Sequence, residues 1–385
     1  MKYPLASPSW GSEEKIAAKA VIDFGMCTMG KNVKKFEKEF SNFNESKYSV
    51  MVNSGSSANL LMVASLFFKS KNALKAGDEV IVPAVSWPTT YYPLVQYGLK
   101  LVFVDIDLYT LNYDLKALDK AITINTRLVV AVNLLGNPNN FTEINRIIEN
   151  KNIILIEDNC ESLGATFTNK KAGSFGVMGS FSTFFSHHIS TMEGGVIVTD
   201  DEELYHIMLS LRAHGWTRDL PRDNFITGTK SDNPFEESFN FVLPGYNVRP
   251  LEVEAAIGLE QLKKLPDFLN IRKENADLFF QLFSSDERFY LQKELGSSSW
   301  FGFSILIKKE SGIIRKELVE KLISNNIECR PIVAGNFTKN KVFDYFNYSI
   351  SENLTNSDVV ETQGFFLGNH QIDLREHLNY LKRIL

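Results

Sequence analysis

At 385 residues, 44% hydrophobic and 23% charged, the chain is long enough for one large unit plus a smaller one, and its composition excludes disordered and fibrous classes. A formal net charge of -5 without any dense block of Lys or Arg gives no electrostatic case for nucleic acid or an anionic membrane; a small anionic ligand is still compatible with it. Cys27, Cys160 and Cys329 are scattered and lack CxxC spacing, so no disulfide framework, zinc site or four-cysteine iron-sulfur cluster is expected.

The opening MKYPLASPSWGSEEK has no basic stretch followed by an apolar one, and no run approaches the length of a membrane span, so a cytoplasmic protein is expected. From there, apolar runs at EVIVPAV (79 to 85), KLVFVDID (100 to 107), RLVVAVN (127 to 133) and IILIED (153 to 158) read as buried parallel strands. Between them SSANLLMVASLFF (56 to 68) and EINRIIEN (143 to 150) carry apolar residues at helical spacing. Repeated βαβ units follow, and with them a doubly wound, mostly parallel α/β sheet covered on both faces.

The stretch from Trp216 to Pro244 is polar, interrupted by Pro221 and Pro234 and without a period, so it reads as a long loop. Its aromatics, Phe225, Phe235, Phe239 and Phe241, favour an ordered, packed loop that serves as a lid or a subunit contact. From about Leu251 a long helical pattern begins, with Pro266 expected to divide it into two helices. WFGFSILI (300 to 307) then reads as a strand and RKELVEKLISNN (315 to 326) as an amphipathic helix. The expected division is a large α/β domain over 1–250 and a smaller α+β domain over 251–385.

Several segments carry chemistry. SGSSANLL (54 to 61) follows the strand-like YSVMVN and opens a helix, so backbone N–H groups and the hydroxyls of Ser56 and Ser57 can face an anion; the same residues also suit a plain N-cap. Asp158 closes a buried strand, where it either meets a ligand or caps the next turn. SFSTFFSHHISTMEGGVIVT (180 to 199) holds two adjacent histidines, which point to opposite faces if the segment is extended.

With VLPGYNVRPLE (242 to 252) and EDNCESLG (157 to 164), these segments resemble the DegT/DnrJ/EryC1/StrS family of sugar aminotransferases and dehydratases, which use pyridoxal 5'-phosphate (PLP). The resemblance runs from YPLASPSW to FLGNHQI and implies the fold type I architecture of PLP-dependent transferases. In that family a Lys stands six residues before the Glu of the EGG turn and holds PLP as a covalent imine; here the position is His187, with His188 beside it. The resemblance implies Gly55, Ser56, Ser57 and Ser182 at the cofactor phosphate, Asp158 at the pyridine nitrogen and Trp87 over the ring. Glu161 replaces the family's Gln near the phenolic oxygen, where one of the two oxyanions should hold a proton.

Asn247 implies a homodimer with shared sites, since the family's Asn reaches the phosphate bound by the neighbouring subunit. His214 and Arg218 (in RAHGWTRD) suit a sugar pyrophosphate or form a solvated surface pair, and Arg330 is the candidate for a glutamate carboxylate. A histidine in the lysine's place implies dehydration at C3 of a nucleotide-linked 4-keto-6-deoxyhexose, most nearly a GDP-linked mannose derivative of the colitose branch of lipopolysaccharide sugars. L-glutamate would convert PLP to pyridoxamine 5'-phosphate, with release of ammonia, and His187 would move the protons. Two rivals stand beside this: an aminotransferase whose lysine comes from Lys170 or Lys171, and a PLP-binding protein without turnover.

Overall fold

The computed structural model describes residues 1–385. Helices α1 (Ser12–Phe24) and α2 (Lys31–Asn44) lead into an alternation of β1 (Tyr48–Val52), α3 (Gly55–Leu66), β2 (Glu79–Pro83), α4 (Pro88–Gln96), β3 (Lys100–Val104), α5 (Leu115–Ala121), β4 (Thr126–Val132), α6 (Phe141–Ile148) and β5 (Ile154–Asp158). Strands β6 (Gly179–Ser182) and β7 (Gly195–Thr199) and helix α7 (Glu202–Arg212) follow. A 32-residue helix, α8 (Glu252–Phe283), then carries the chain to β8 (Phe289–Leu291), β9 (Gly302–Ile307), α9 (Arg315–Ser324), β10 (Cys329–Arg330), β11 (Tyr348–Ile350), α10 (Thr355–Gln363), β12 (Gly364–Gly368) and α11 (Arg375–Ile384).

The main sheet has eight strands in the order β1-β7-β6-β5-β4-β2-β3-β11, and only β7 runs against the others. Its strands read as continuous apolar runs because both faces are covered. Val80, Val82, Leu101, Phe103 and Ile156 pack with α3, α4 and α7, whereas their neighbours Ile81, Val102, Val104 and Leu155 pack with α5 and α6. The second sheet, β8-β9-β12-β10, is antiparallel. No helix is long and apolar enough to cross a membrane.

Pro266 does not divide α8. It sits on the solvent face of the helix, so the Leu262 carbonyl it deprives of an N–H partner lies where water can reach it, and packing on the other face keeps the helix continuous. Ala255 and Leu265 of its first half join Phe36 and Phe40 of α2 beneath the main sheet. Ala276, Phe279 and Phe283 of its second half join Phe303, Leu378 and Leu381 of the smaller unit. One helix thus belongs to two cores.

Two segments cross the boundary drawn at residue 250. Tyr3 lies in the core of the smaller unit, with its hydroxyl donating to the Gly368 carbonyl at 2.7 Å, and β11 pairs in parallel with β3 at the edge of the main sheet. The segment over 216–244 is ordered by a short ribbon (Asp223–Asn224 against Gly228–Thr229) and by the Trp216–Phe241 bridge, but Phe225, Phe235, Phe239 and Phe241 face solvent rather than a core.

Phe279 stacks face to face on Phe303 with ring centroids 4.3 Å apart, both rings fully buried. Truncating it to Phe279→Ala should cost about 3–5 kcal/mol of folding stability, measured as a lowered denaturant midpoint; a loss below about 1 kcal/mol would show that the smaller unit repacks around the gap.

Candidate active site

Because β1, β2, β4, β5 and β6 are parallel, their carboxyl ends open on one edge of the sheet, where open α/β sheets bind ligands. After β1, Ser54 is the N-cap of α3, its Oγ accepting from the Ser57 N–H at 3.0 Å. The N-cap reading of this turn is therefore correct, and it leaves the Gly55 and Ser56 end of the helix facing outward, with Ser56 exposed. A β-carbon on Gly55 would lie 2.7 Å from Ser182 Cβ and 3.1 Å from Cys160 Sγ, so glycine is what lets the start of α3 meet the end of β6. Gly195, opening β7, is confined in the same way by the Ser54 carbonyl.

Asp158 is buried at the end of β5 with its carboxylate fixed on both sides. Oδ2 accepts from Asn59 Nδ2 at 2.8 Å and from Thr90 Oγ1 at 2.7 Å, while Oδ1 accepts only from the Cys160 N–H at 3.1 Å. One lone pair of Oδ1 is left for a ligand. Asn59 is itself held by Ser180 Oγ, which donates to its Oδ1 at 2.6 Å. Trp87 begins α4 beside this network and is 57% exposed.

Glu161 Oε2 accepts from the Leu135 N–H at 2.9 Å, and burial together with the negative charge of Asp158 pushes its carboxyl up to about 7. Leu135 adopts φ 54, a left-handed conformation that is uncommon outside glycine, and its carbonyl accepts from the Phe301 N–H at 3.0 Å. The Phe301 ring in turn packs on His187, centroids 5.1 Å apart. One strained residue therefore joins the carboxyl side of the cleft to the histidine side.

His187 sits in a loop from β6 to β7 that is closed by the Thr183 and Thr191 hydroxyls at 2.6 Å and by the Thr191 N–H bonding the Thr183 carbonyl. The loop is anchored from outside, Ser190 donating to Gln261 Oε1 and accepting from Trp10 Nε1. His188 points inward, fully buried, with Nε2 donating to the Ser299 carbonyl at 3.0 Å. His187 is partly open, its Nδ1 buried without a partner, so Nε2 is the nitrogen available to a ligand. Burial, and then the charge of Arg272, lowers the His187 imidazole to about 4.

The structure thus links Gly55, Ser182 and Asp158 through Cys160, and Glu161 with His187 through Leu135 and Phe301, with Ser56 and Ser57 on the first turn of α3 and Trp87 exposed before α4. It brings none of the others into this set. His214 and Arg218 are exposed, the guanidinium lying 4.0 Å from the Trp216 ring centroid and bonding the Ser238 carbonyl. Exposed Asn247 accepts from Arg249 Nε, and exposed Arg330 lies on β10 at the edge of the smaller sheet. Lys170 lies over Phe175, and Lys171 lies over Phe43 and donates to its carbonyl, so neither lysine reaches the cleft. A cavity of about 1050 Å³ between α1, α2 and α8 contains none of the predicted site residues. Asn59, Thr90, Leu135, Phe301 and Arg272 went unseen in the sequence; a polar residue inside the apolar helix α3 was the one available signal, and it pointed to Asn59.

Comparison with known proteins gives a consistent result. Residues 8–380 match the model of the DegT/DnrJ/EryC1/StrS aminotransferase family. A GDP-4-keto-6-deoxy-D-mannose 3-dehydratase of Escherichia coli O55:H7 is 60% identical over 386 residues, covering 100% of both chains. A solved GDP-4-keto-6-deoxymannose-3-dehydratase with a trapped PLP-glutamate geminal diamine superposes with a TM-score of 0.99 at 60% identity, covering 100% of both chains. A further solved relative, in which a serine and the histidine after it are replaced by asparagine and lysine, gives 0.97 at 59% identity over 98% of this chain and 100% of its own.

With its folded value near 7 and an ordinary carboxyl value of about 4.3, Glu161 binds more proton in the folded state than in the unfolded one. Its contribution to stability is complete below the lower value and is lost as pH rises through 7. The melting temperature of the cofactor-free protein should therefore fall, relative to that of Glu161→Gln, between about pH 5 and pH 8. A difference that stays constant with pH would mean that Glu161 titrates as an ordinary carboxylate.

Proposed function

Because the chain belongs to the DegT/DnrJ/EryC1/StrS aminotransferase family, we propose that it is a PLP-dependent 3-dehydratase of GDP-4-keto-6-deoxy-D-mannose that draws on L-glutamate. One observation carries the reading: a cleft that keeps an anion turn, a buried strand-end carboxylate and a protonated acid has an imidazole in place of an amine. The relative altered from Ser-His to Asn-Lys supports His187 as that position, since Ser186–His187 is the one Ser-His pair in this chain.

The residues fit the cofactor. We assign its phosphate to Gly55, Ser56, Ser57 and Ser182, because the absent β-carbon lets the N-terminal turn of α3 close on Ser182, so that helix N–H groups and serine hydroxyls come together. Asp158, with its Oδ1 lone pair free, would take the pyridine nitrogen; Glu161, raised towards neutrality, would in its protonated form donate to the phenolic oxygen; Trp87 would cover the ring. When bound there in its amine form, the cofactor supplies an electron sink for the C–H bond broken next to its amine.

The chain supplies the proton movements. His187 is uncharged at neutral pH, so Nε2 accepts a proton without first losing one. Once charged, the same imidazole is a strong acid in its buried setting and gives the proton to the hydroxyl leaving C3. Glutamate is oxidised to 2-oxoglutarate and ammonia while C3 of the sugar is reduced from C–OH to C–H, so no other reductant is needed. The reading places the enzyme in the cytoplasm with both soluble substrates.

Protein supplied with GDP-4-keto-6-deoxymannose, PLP and glutamate should release ammonia and 2-oxoglutarate in equal amounts with the 3-deoxy sugar, and His187→Asn should lower the rate by at least about 100-fold. A stable 4-amino sugar as main product, or a pyridoxyl-lysine peptide after borohydride treatment, would contradict the proposal.

We further propose a homodimer in which Asn247 completes the phosphate site of the partner subunit and the 216–244 segment forms part of the interface. Support comes from the exposed Asn247 and from the four phenylalanines that this segment leaves in solvent, Phe235 at 86% exposure. His214, Arg218 and Arg330 are assigned to the sugar pyrophosphate and the glutamate carboxylate. Mixing inactive His187→Asn and Asn247→Ala chains should restore up to about a quarter of the wild-type rate, because half the dimers are hybrids and each hybrid holds one intact site. No recovery after exchange of subunits would show that each site is built from one chain.

A further inference from the structure

Arg272, on α8, is 2% exposed and makes hydrogen bonds to backbone carbonyls alone. Nη1 donates to the Asn369 carbonyl at 2.7 Å and, at longer range, to the carbonyls of Phe301 at 3.3 Å and Trp300 at 3.4 Å, while Nε is buried without a partner. Asn369 ties the same point from the other side, its Nδ2 donating to the carbonyls of Trp300 and Arg272. A buried guanidinium without a carboxylate is a costly arrangement, and stability alone gives no reason for it.

Its location gives one. Residues 299–301 form the floor of the histidine pair: the Ser299 carbonyl accepts from His188, and the Phe301 ring packs on both imidazoles, at 5.1 Å and 5.9 Å between centroids. The titratable groups linked to His187 are His188, Arg272 and, through Leu135 and Phe301, Glu161; of these, Arg272 is the charge that acts on both imidazoles. We propose that Arg272 is a positioning residue for proton transfer at His187: it fixes the Trp300–Phe301 backbone on which the imidazole rests and sets a buried guanidinium behind the histidine pair. The proposal rests on His187 being the group that moves the proton. Burial is the larger reason His187 stays uncharged, and Arg272 adds to it.

The test follows the titration of the six histidines by NMR in the cofactor-free protein, with the His187 signal assigned by its loss in His187→Asn. In Arg272→Met the His187 midpoint should rise by about one unit, and the acidic limb of kcat/KM in the complete assay should move up with it. Arg272→Lys, which keeps the charge, should hold both near their wild-type positions. If the methionine variant does not fold, Arg272→Gln, with an N–H donor but no charge, takes its place. An unmoved His187 midpoint in the uncharged variant, or a lysine variant that behaves like it, would overturn the proposal. Full turnover in His187→Asn would instead remove the role given to His187, whereas the cofactor-free titration would still judge the electrostatic effect of Arg272.

Discussion

The first turn of α3 meets the end of β6 at Gly55 and Ser182, and most of the cleft depends on that contact. Parallel strands must finish on the same edge, but they bring small polar groups together only where side chains allow the backbones to approach. Without a β-carbon at position 55, the N-terminal turn of α3 lies against Ser182 and Cys160, and Cys160 in turn holds Asp158 through its N–H. Gly195 provides the same clearance on β7, next to the Ser54 carbonyl. The one antiparallel strand of the main sheet begins here, so the chain returns past its own anion turn and carries the histidine loop with it.

The cleft combines groups that burial and neighbouring charge hold away from ionisation. Glu161 is raised towards neutrality by burial and by Asp158, and His187 is lowered by burial and by Arg272, so near pH 7 an acid and an uncharged base stand on the two sides of the Leu135–Phe301 link. Paired groups with displaced proton affinities are a signature of acid-base chemistry. Asp158, held by an amide, a hydroxyl and a backbone N–H, is the group fixed as an acceptor.

What the sequence discloses about this site is what lies within one strand-turn-helix unit. Asp158 and Gly55 stand at ends of apolar runs, where strand length and turn chemistry fix their positions, whereas Ser182 and the choice of His187 over His188 come from the family resemblance, which counts back from the EGG turn. The strand and helix pattern of residues 79–158 is readable for the same reason. Arg272 and Phe301 lie some distance along the chain and enter through tertiary packing, so no local pattern marks them. Leu135 is hidden because its importance lies in a backbone angle that its side chain does not announce. Local preference at Pro266 predicts a break, but packing on two cores outweighs one missing hydrogen bond. The aromatics of 216–244 show the opposite limit: they predict an ordered, packed segment, but all four phenylalanines face solvent, since hydrophobicity shows that a surface will be covered and not by what.

The crossing of Tyr3 and β11 between the units has a consequence for synthesis. As the chain emerges from the ribosome, Tyr3 waits for Gly368, the residue whose carbonyl its hydroxyl meets, and the free edge of β3 stays unpaired until Tyr348–Ile350 arrives. A nascent chain with most of its main sheet assembled still exposes an apolar anchor at its start and an open strand at its edge. Residues 326–368 cover both, so a later stretch of the chain closes the fold of an earlier one.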